Sequence, residues 1–288
     1  MCGILAIYNV RPTNTILNEA QRNLMKLQNR GRDSYGYMLV DDKNNISFIK
    51  KLGDIKINYS DESIKYKIVL AHNRYATSYS AEVSLNEKES LIQPFIGENK
   101  KLGKFGLIHN GNISNLDYYY ELFNLSKESE SNEIINDSKM LVKLIEKLEY
   151  NSFYDIIKKI VIEIKGVFSI VLLDYSNNCI YAFKDRYGLR PLCIGKNSNG
   201  YCLASESNAL GNYDYIREIE NGEIIKINDL GFRHLYKYDT TNKSKKTCLF
   251  EYVYFLNKNS IFKKNKYDLH NVSVEDIRLS FGNMLASQ

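Results

Sequence analysis

No stretch of this sequence is long and apolar enough to span a bilayer, and its start lacks the basic region, apolar core and small-residue cleavage site of a secretory leader. No membrane association is expected, and the cytoplasm is the default location. Cysteine lacks pattern rather than number. Cys2, Cys179, Cys193, Cys202 and Cys248 form no C-x-x-C pair and no zinc-ligand spacing, so neither a disulfide framework nor a structural zinc organises the fold. Tryptophan is absent, and the 23 tyrosines and 12 phenylalanines read as core packing. No strongly basic face stands out: the net charge of +5 is spread through lysine-rich loops such as KKNK and KSKK, which solvate a surface rather than grip nucleic acid. Repeats and low-complexity tracts are also missing. What remains is an ordinary globular composition, 44% hydrophobic and 25% charged over 288 residues, enough for one large domain or two small ones.

The apolar patterning alternates between helix and strand. CGILAIYNV reads as a buried strand and ILNEAQRNLMKLQNR as a helix that Gly31 can stop. SYGYMLVDD and ISFIKKLG form a hairpin joined by DDKNN. KYKIVLAHNRYAT and KFGLIHNGNISN are each a strand running into a polar loop, with SYSAEVSLNEKESLIQPF as a loop between them. From Leu116 to Asn151 two helical patterns flank the charged SKESESNE, and FYDIIKKIVIEIKG adds another helix. After Gly166 come the short strands VFSIVLLDY, CIYAFKD, PLCIG, YCLASES and EIIKI. The class is α+β, with two largely antiparallel sheets and helices outside. Beyond a polar linker, the aromatic-rich CLFEYVYFLNKNS precedes an amphipathic helix, VSVEDIRLSFGNMLASQ, whose apolar face needs a partner.

Candidate chemistry starts at the second residue. A thiol there becomes a nucleophile with its own base once Met1 is removed, because an α-amine titrates near pH 8 and can take the thiol proton. The competing readings are a small buried hydrophobe opening a strand, or a chain that keeps Met1. Arg74 in AHNRYAT has the planar fork suited to a carboxylate, and Thr77 can add a hydroxyl. A surface arginine is the alternative. In HNGN, Asn110 and Gly111 can bring an amide side chain and an unobstructed backbone N–H to a developing oxyanion, although Asn-Gly is equally a hairpin-turn signal. Asp137 in INDSKM suits a substrate ammonium, or simply caps a helix. His72 and His109 have no acidic partner nearby, so hydrogen bonding behind the site is expected of them and no metal site is.

MCGI, LQNRGRDSYG, AHNRYAT, LIHNGNISN, NDSK, AFKDRYGLRPL and CLASES occur in the order found in class II glutamine amidotransferases, which are N-terminal-nucleophile hydrolases. The chain resembles that family from Cys2 to about Ile227. IREIENGEIIKI and CLFEYVYFLNKNS look like its amidophosphoribosyltransferase branch, the first committed step of purine synthesis. The resemblance implies a four-layer αββα sandwich and hydrolysis of glutamine to glutamate and ammonia through a thioester on Cys2. Asn110 and Gly111 match the oxyanion hole, Arg74 and Thr77 the carboxylate grip, and Asp137 the ammonium contact. Arg30 and Gly31 match the loop beside the nucleophile, where support and substrate contact are expected.

The chain also departs from the family pattern. Relatives carry histidine, glutamine and glutamate where this chain has Asn29, Arg32 and Lys139, and the loop Ala76, Thr77, Ser78, Tyr79 lacks their glycine. By this reading residues 2–236 form the glutaminase domain, and 237–288 form a linker and helix resembling the lead-in to a phosphoribosyltransferase domain that is absent from this chain. Mg²⁺ would belong to that domain, so no cofactor is expected here. Cys248 matches an iron–sulfur ligand of some relatives, but the other ligands would lie elsewhere and no cluster is expected. Asp185 and Arg190 suit a turn locked by an ion pair. The expected partners are glutamine and a phosphoribosyltransferase or other synthase, with no nucleic acid, and a homo-oligomer is compatible with the sequence. The alternatives are the glutaminase domain of another amidotransferase, a peptide-bond or acyl hydrolase with the same nucleophile, or a non-catalytic regulatory or scaffolding remnant.

Overall fold

Strand β1 (Gly3–Thr13) serves two interfaces at once. Side chains alternate across a strand, so Ile4, Ala6 and Tyr8 enter a core between two sheets, while Leu5 and Ile7 enter a second core beneath a helix. The computed structural model describes residues 1–57, 63–75, 84–122, 136–239, 248–263 and 271–287. On the outer side of β1, helix α1 (Ile16–Met25) lays down Ile16, Leu17, Ala20 and Leu24, spaced to share one helical face.

The first sheet also contains β2 (Ser34–Asp41), β3 (Ile46–Leu52), β4 (Tyr66–Arg74), β9 (Cys193–Lys196), β10 (Gly200–Ala204) and β11 (Asp214–Glu218), in the order β11-β9-β10-β1-β4-β2-β3. The second contains β5 (Phe95–Asn99), β6 (Gly103–Ile113), β7 (Gly166–Asp174), β8 (Cys179–Lys184), β12 (Glu223–Asn228) and β13 (Gly231–Lys237), in the order β13-β12-β8-β7-β6-β5. Every pairing in both sheets is antiparallel. Helices α4 (Asp137–Lys147) and α5 (Phe153–Glu163) cover the outer face of the second sheet, started by the Asn136 and Ser152 side chains that accept from the N–H groups of Lys139 and Asp155. The layers therefore run α, β, β, α, the sandwich that the family resemblance implies.

Elements absent from the sequence reading share a physical cause. Helix α2 (Leu85–Ser90), inside the segment read as a loop, buries no residue and so shows no apolar period; a capping box between Ser84 and Glu87 starts it instead. Edge strands β11 and β13 are half-exposed and charged, which erases the alternation that marks interior strands. Asn110 and Gly111 sit inside β6 rather than at a turn, because β6 stays paired to β7 as far as Ile113. The expected Asp185–Arg190 ion pair does not form. Asp185 instead accepts from the backbone N–H groups of Phe168, Tyr187 and Gly188, and Arg190 turns to Glu251. SKESESNE, at 126–133, lies outside the described residues.

The C-terminal segment is tied to the sandwich. A π-helical turn, Glu251–Phe255, buries Glu251 and Phe255. The short ladder of β14 (Ile261–Lys263) and β15 (Asn271–Ser273) follows, and then α6 (Val274–Ala286), which buries only Val274. Helix α3 (Leu116–Leu122) lies between β6 and α4 in sequence. Ile108 is fully buried between the sheets. Ile108→Ala is expected to cost about 2–5 kcal/mol of stability, measurable by urea denaturation.

Candidate active site

Strand register gathers the sequence-predicted residues at one end of the inter-sheet gap. Gly3 lies opposite Asn73, which puts Cys2 beside Arg74, and the alternation that turns Ile4 inward turns Cys2 inward as well. His72, Arg74 and Asn110 share the inward parity of Leu70 and Ile108 on β4 and β6. Two close backbone approaches fix this end. A side chain at Gly3 would meet Asn73 Oδ1 at 2.1 Å, and one at Gly31 would meet the Arg74 carbonyl carbon at 2.4 Å, so both positions must lack a Cβ. Asn73 Nδ2 donates to the carbonyls of Leu27 and Gly31, and Asp33 N–H donates to the Arg74 carbonyl.

Two of the expected site residues, Arg74 and Asp137, act on the Cys2 thiol. Burial pushes its pKa up, while a hydrogen bond from the Tyr75 backbone N–H, the terminal ammonium and Arg74 pull it down, and Asp137 raises it. The Met1 ammonium is lowered to about 6, first by burial and then by Arg30 and Arg190, against Cys2 and Glu251, which raise it. Its deprotonated form therefore persists well below the ordinary pH range of an α-amine. His72 is fully buried and lowered to about 3 by burial, Arg74 and His109, which keeps it neutral at any working pH.

Asn110 and Gly111 are neighbours on β6 at this end of the gap. Asn110 is 1% exposed, and its Nδ2 finds no acceptor among the described residues. Gly111 pairs with Phe168, but Phe168 exchanges both of its backbone bonds with Asp185 on the far side. Gly111 thus sits in a non-hydrogen-bonded pair, and its N–H points to the opposite edge of β6. On that edge the Gln93 side chain already bonds both backbone groups of His109. A side chain at Gly111 would meet the Val167 carbonyl oxygen at 2.1 Å, which leaves glycine as the residue that fits.

Helix α4 brings Asp137 to this point. Asn136 is the cap, so Asp137 is not needed for capping. The helix start is pinned to β6 through Ser138, whose hydroxyl lies 2.8 Å from His109 Nδ1 and accepts from Gln93 Nε2. His109 thus bonds behind the site. Lys139, one of the departures from the family pattern, donates to Ser90 Oγ on α2.

Arg30 differs from expectation. Its side chain is fully buried: Nε donates to the Cys2 carbonyl at 3.1 Å, Nη1 to Glu206 at 3.0 Å, and Nη2 to both oxygens of Glu251 at 3.1 and 3.0 Å. It holds the Cys2 carbonyl, and its fully buried guanidinium shows no open face for the substrate contact also expected of it. Asn29 joins the same network, donating to Glu206 and to the Phe255 carbonyl. Thr77, with the rest of residues 76–83, lies outside the described residues. Sequence reasoning missed Gln93, Ser138, Glu206 and Glu251. The only signal for Glu206 is its place in CLASES, and for Glu251 its place in CLFEYVYF. Among the described residues no group of three or more His, Cys, Asp or Glu side chains is placed to hold a metal ion.

Residues 80–212 match the family described as the glutamine amidotransferase domain. The whole chain aligns with amidophosphoribosyltransferases, at 28% identity to that of Methanocaldococcus jannaschii over 61% of its length and 29% to that of Escherichia coli K12 over 57%. In structure, all of it superposes on 58% of a glutamine phosphoribosylpyrophosphate amidotransferase from B. subtilis complexed with ADP and GMP, with a TM-score of 0.79 and 25% identity. A structure described as the allosteric regulatory enzyme of purine biosynthesis matches equally well, with a TM-score of 0.79 and 26% identity over 99% of this chain and 58% of the other.

The chain resembles the class II glutamine amidotransferases. Within this family the likeness is to the glutaminase half of amidophosphoribosyltransferase, and the chain spans less than two thirds of the relatives it matches. The buried Arg30 cluster is costly to break. Arg30→Met would strand two carboxylates in a buried site, with an expected loss of about 3–5 kcal/mol, read from the urea midpoint.

Proposed function

We propose that this domain hydrolyses glutamine to glutamate and ammonia through a γ-glutamyl thioester on Cys2, as the glutaminase half of an amidophosphoribosyltransferase acting in purine biosynthesis. The supporting observation is the unpaired Asn110 Nδ2, a buried donor facing the inter-sheet end where Cys2, Arg74 and Asp137 meet. An unpaired buried donor is costly, and an oxyanion satisfies it.

In this mechanism removal of Met1 frees the amine of Cys2, which takes the thiol proton. Sγ attacks the side-chain amide carbon of glutamine, a C–S bond forms, and the carbonyl electrons move onto oxygen. Asn110 Nδ2 and Gly111 N–H hold that oxyanion. The terminal ammonium returns its proton to the departing nitrogen, the C–N bond breaks, and ammonia leaves. Water then attacks the thioester with the amine as base, Sγ departs and is reprotonated, and glutamate is released. Arg74 and Thr77 hold the substrate carboxylate, and Asp137 holds its ammonium. Ammonia passes to a phosphoribosyltransferase domain or a synthase partner, and this half requires no cofactor of its own.

The test is glutamate and ammonia release from glutamine, with Cys2→Ala as control. Turnover that disappears in Cys2→Ala supports the reading, and turnover that survives overturns it. Asn110→Ala is expected to lower kcat by about 10²–10³-fold with a smaller change in KM. Burial is the main cause that lowers the Met1 amine to about 6, and the same burial is expected to lower the amine that Met1 removal exposes on Cys2. The value of kcat/KM is therefore expected to hold at pH 7 and to fall on the acid side as the amine is protonated. Intact mass establishes whether Met1 is absent, and a chain that keeps it is expected to be inactive.

A further inference from the structure

We propose that Glu251, from the segment after the sandwich, is a positioning residue for the N-terminal nucleophile: it fixes the Cys2 carbonyl through Arg30, and its negative charge offsets the two guanidiniums behind the terminus. The inference rests on the glutaminase reading above and deepens it.

Two guanidiniums and two carboxylates stand behind Cys2. Glu206 uses one oxygen on Arg30 and Asn29 and the other on Asn257 N–H and Ser260 Oγ, at 2.7 and 2.8 Å, so it also stitches the C-terminal segment to the sandwich. Glu251 serves cations only. Both of its oxygens face Arg30 Nη2, and one lies 3.7 Å from Arg190 Nη1. Its side chain is 4% exposed, against 0% for Arg30 and 18% for Arg190, so water screens the group weakly. Arg30 in turn holds the carbonyl of Cys2, the residue that carries the sulfur and, after Met1 is removed, the base. Two bonds from Arg278, to the Tyr252 and Leu256 carbonyls at 2.8 Å each, brace the turn on which Glu251 sits.

In the chain that keeps Met1, the groups acting on the terminal amine are the Cys2 thiol, Arg30 from the turn after α1, Arg190 from the loop before β9 and Glu251, with neutral His72 from β4 feeling its charge, while Arg74 and Asp137 act on Cys2 itself. The signs follow directly. Removing the carboxylate of Glu251 leaves the guanidiniums undercompensated and disfavours a third positive charge, so the amine loses its proton more readily. Removing the charge of Arg190 acts in the opposite direction.

The experiment measures kcat/KM for glutamine against pH in the full chain for wild type, Glu251→Gln, Glu251→Asp and Arg190→Gln. Glu251→Gln is expected to lower kcat/KM about 10- to 100-fold through misplacement of Cys2 and to move the acid limb down by about one pH unit. Glu251→Asp restores part of both effects, and Arg190→Gln moves the limb up. The proposal is overturned if Glu251→Gln keeps the wild-type profile, or if the two neutralising variants shift the limb in the same direction. Should Glu251→Gln fail to fold, Arg190→Gln decides alone, and an unmoved or lowered limb overturns the proposal. If wild type does not turn over glutamine, the glutaminase reading fails separately. Acetylation of the terminal amine by trace acetic anhydride, read by peptide mass against pH, then applies the same two signs without activity.

Discussion

The placement of Cys2 depends on a hydrogen bond from Arg30 Nε to its carbonyl. A chain terminus normally frays because little holds it. Here the first functional residue is held by a guanidinium whose other donors are fixed by two buried carboxylates, so ordering the terminus is coupled to ordering the whole cluster. A buried charge cluster adds little net stability, but removing one member is costly because the others remain desolvated. This asymmetry suits a site that must tolerate no looseness at its nucleophile.

The surrounding backbone serves the same end. Gly3 lets β1 lie close to Asn73, Gly31 lets the loop before β2 rest on the Arg74 carbonyl, and Gly111 lets β6 press on β7. Each approach excludes a Cβ, so the inter-sheet end is built from backbone at close range. Side chains then enter it from fixed directions: Cys2 and Arg74 from one sheet, Asn110 from the other, and Asp137 from a helix start locked by the contacts among His109, Ser138 and Gln93.

The sandwich was legible where both faces of a strand are buried or where a helix has a clean apolar stripe, as in β1, β4, β7, α1 and α5. It was not legible where burial is partial. Helix α2 is written in its caps rather than in an apolar period, and β11 and β13 are edges whose pairing depends on a neighbour's register. Cys2, Arg74, Asn110, Gly111 and Asp137 could be nominated because each residue type suits one chemical task. The role of Arg30 was only half legible, since sequence shows a cation beside the nucleophile but not that Glu206 and Glu251 absorb it. Those carboxylates are 176 and 221 residues away, and no local pattern joins groups so distant.

The inward direction of Cys2 is a matter of counting. It follows from the two-residue period of β1, measured back from Ile4 against a partner strand that Gly3 holds close. A slip of one position would hand the sulfur to the side packed by α1 and leave the gap between the sheets without it. The register of β1 against β4 therefore acts as a ruler, and in the proposed reaction it matters as much as the thiol itself.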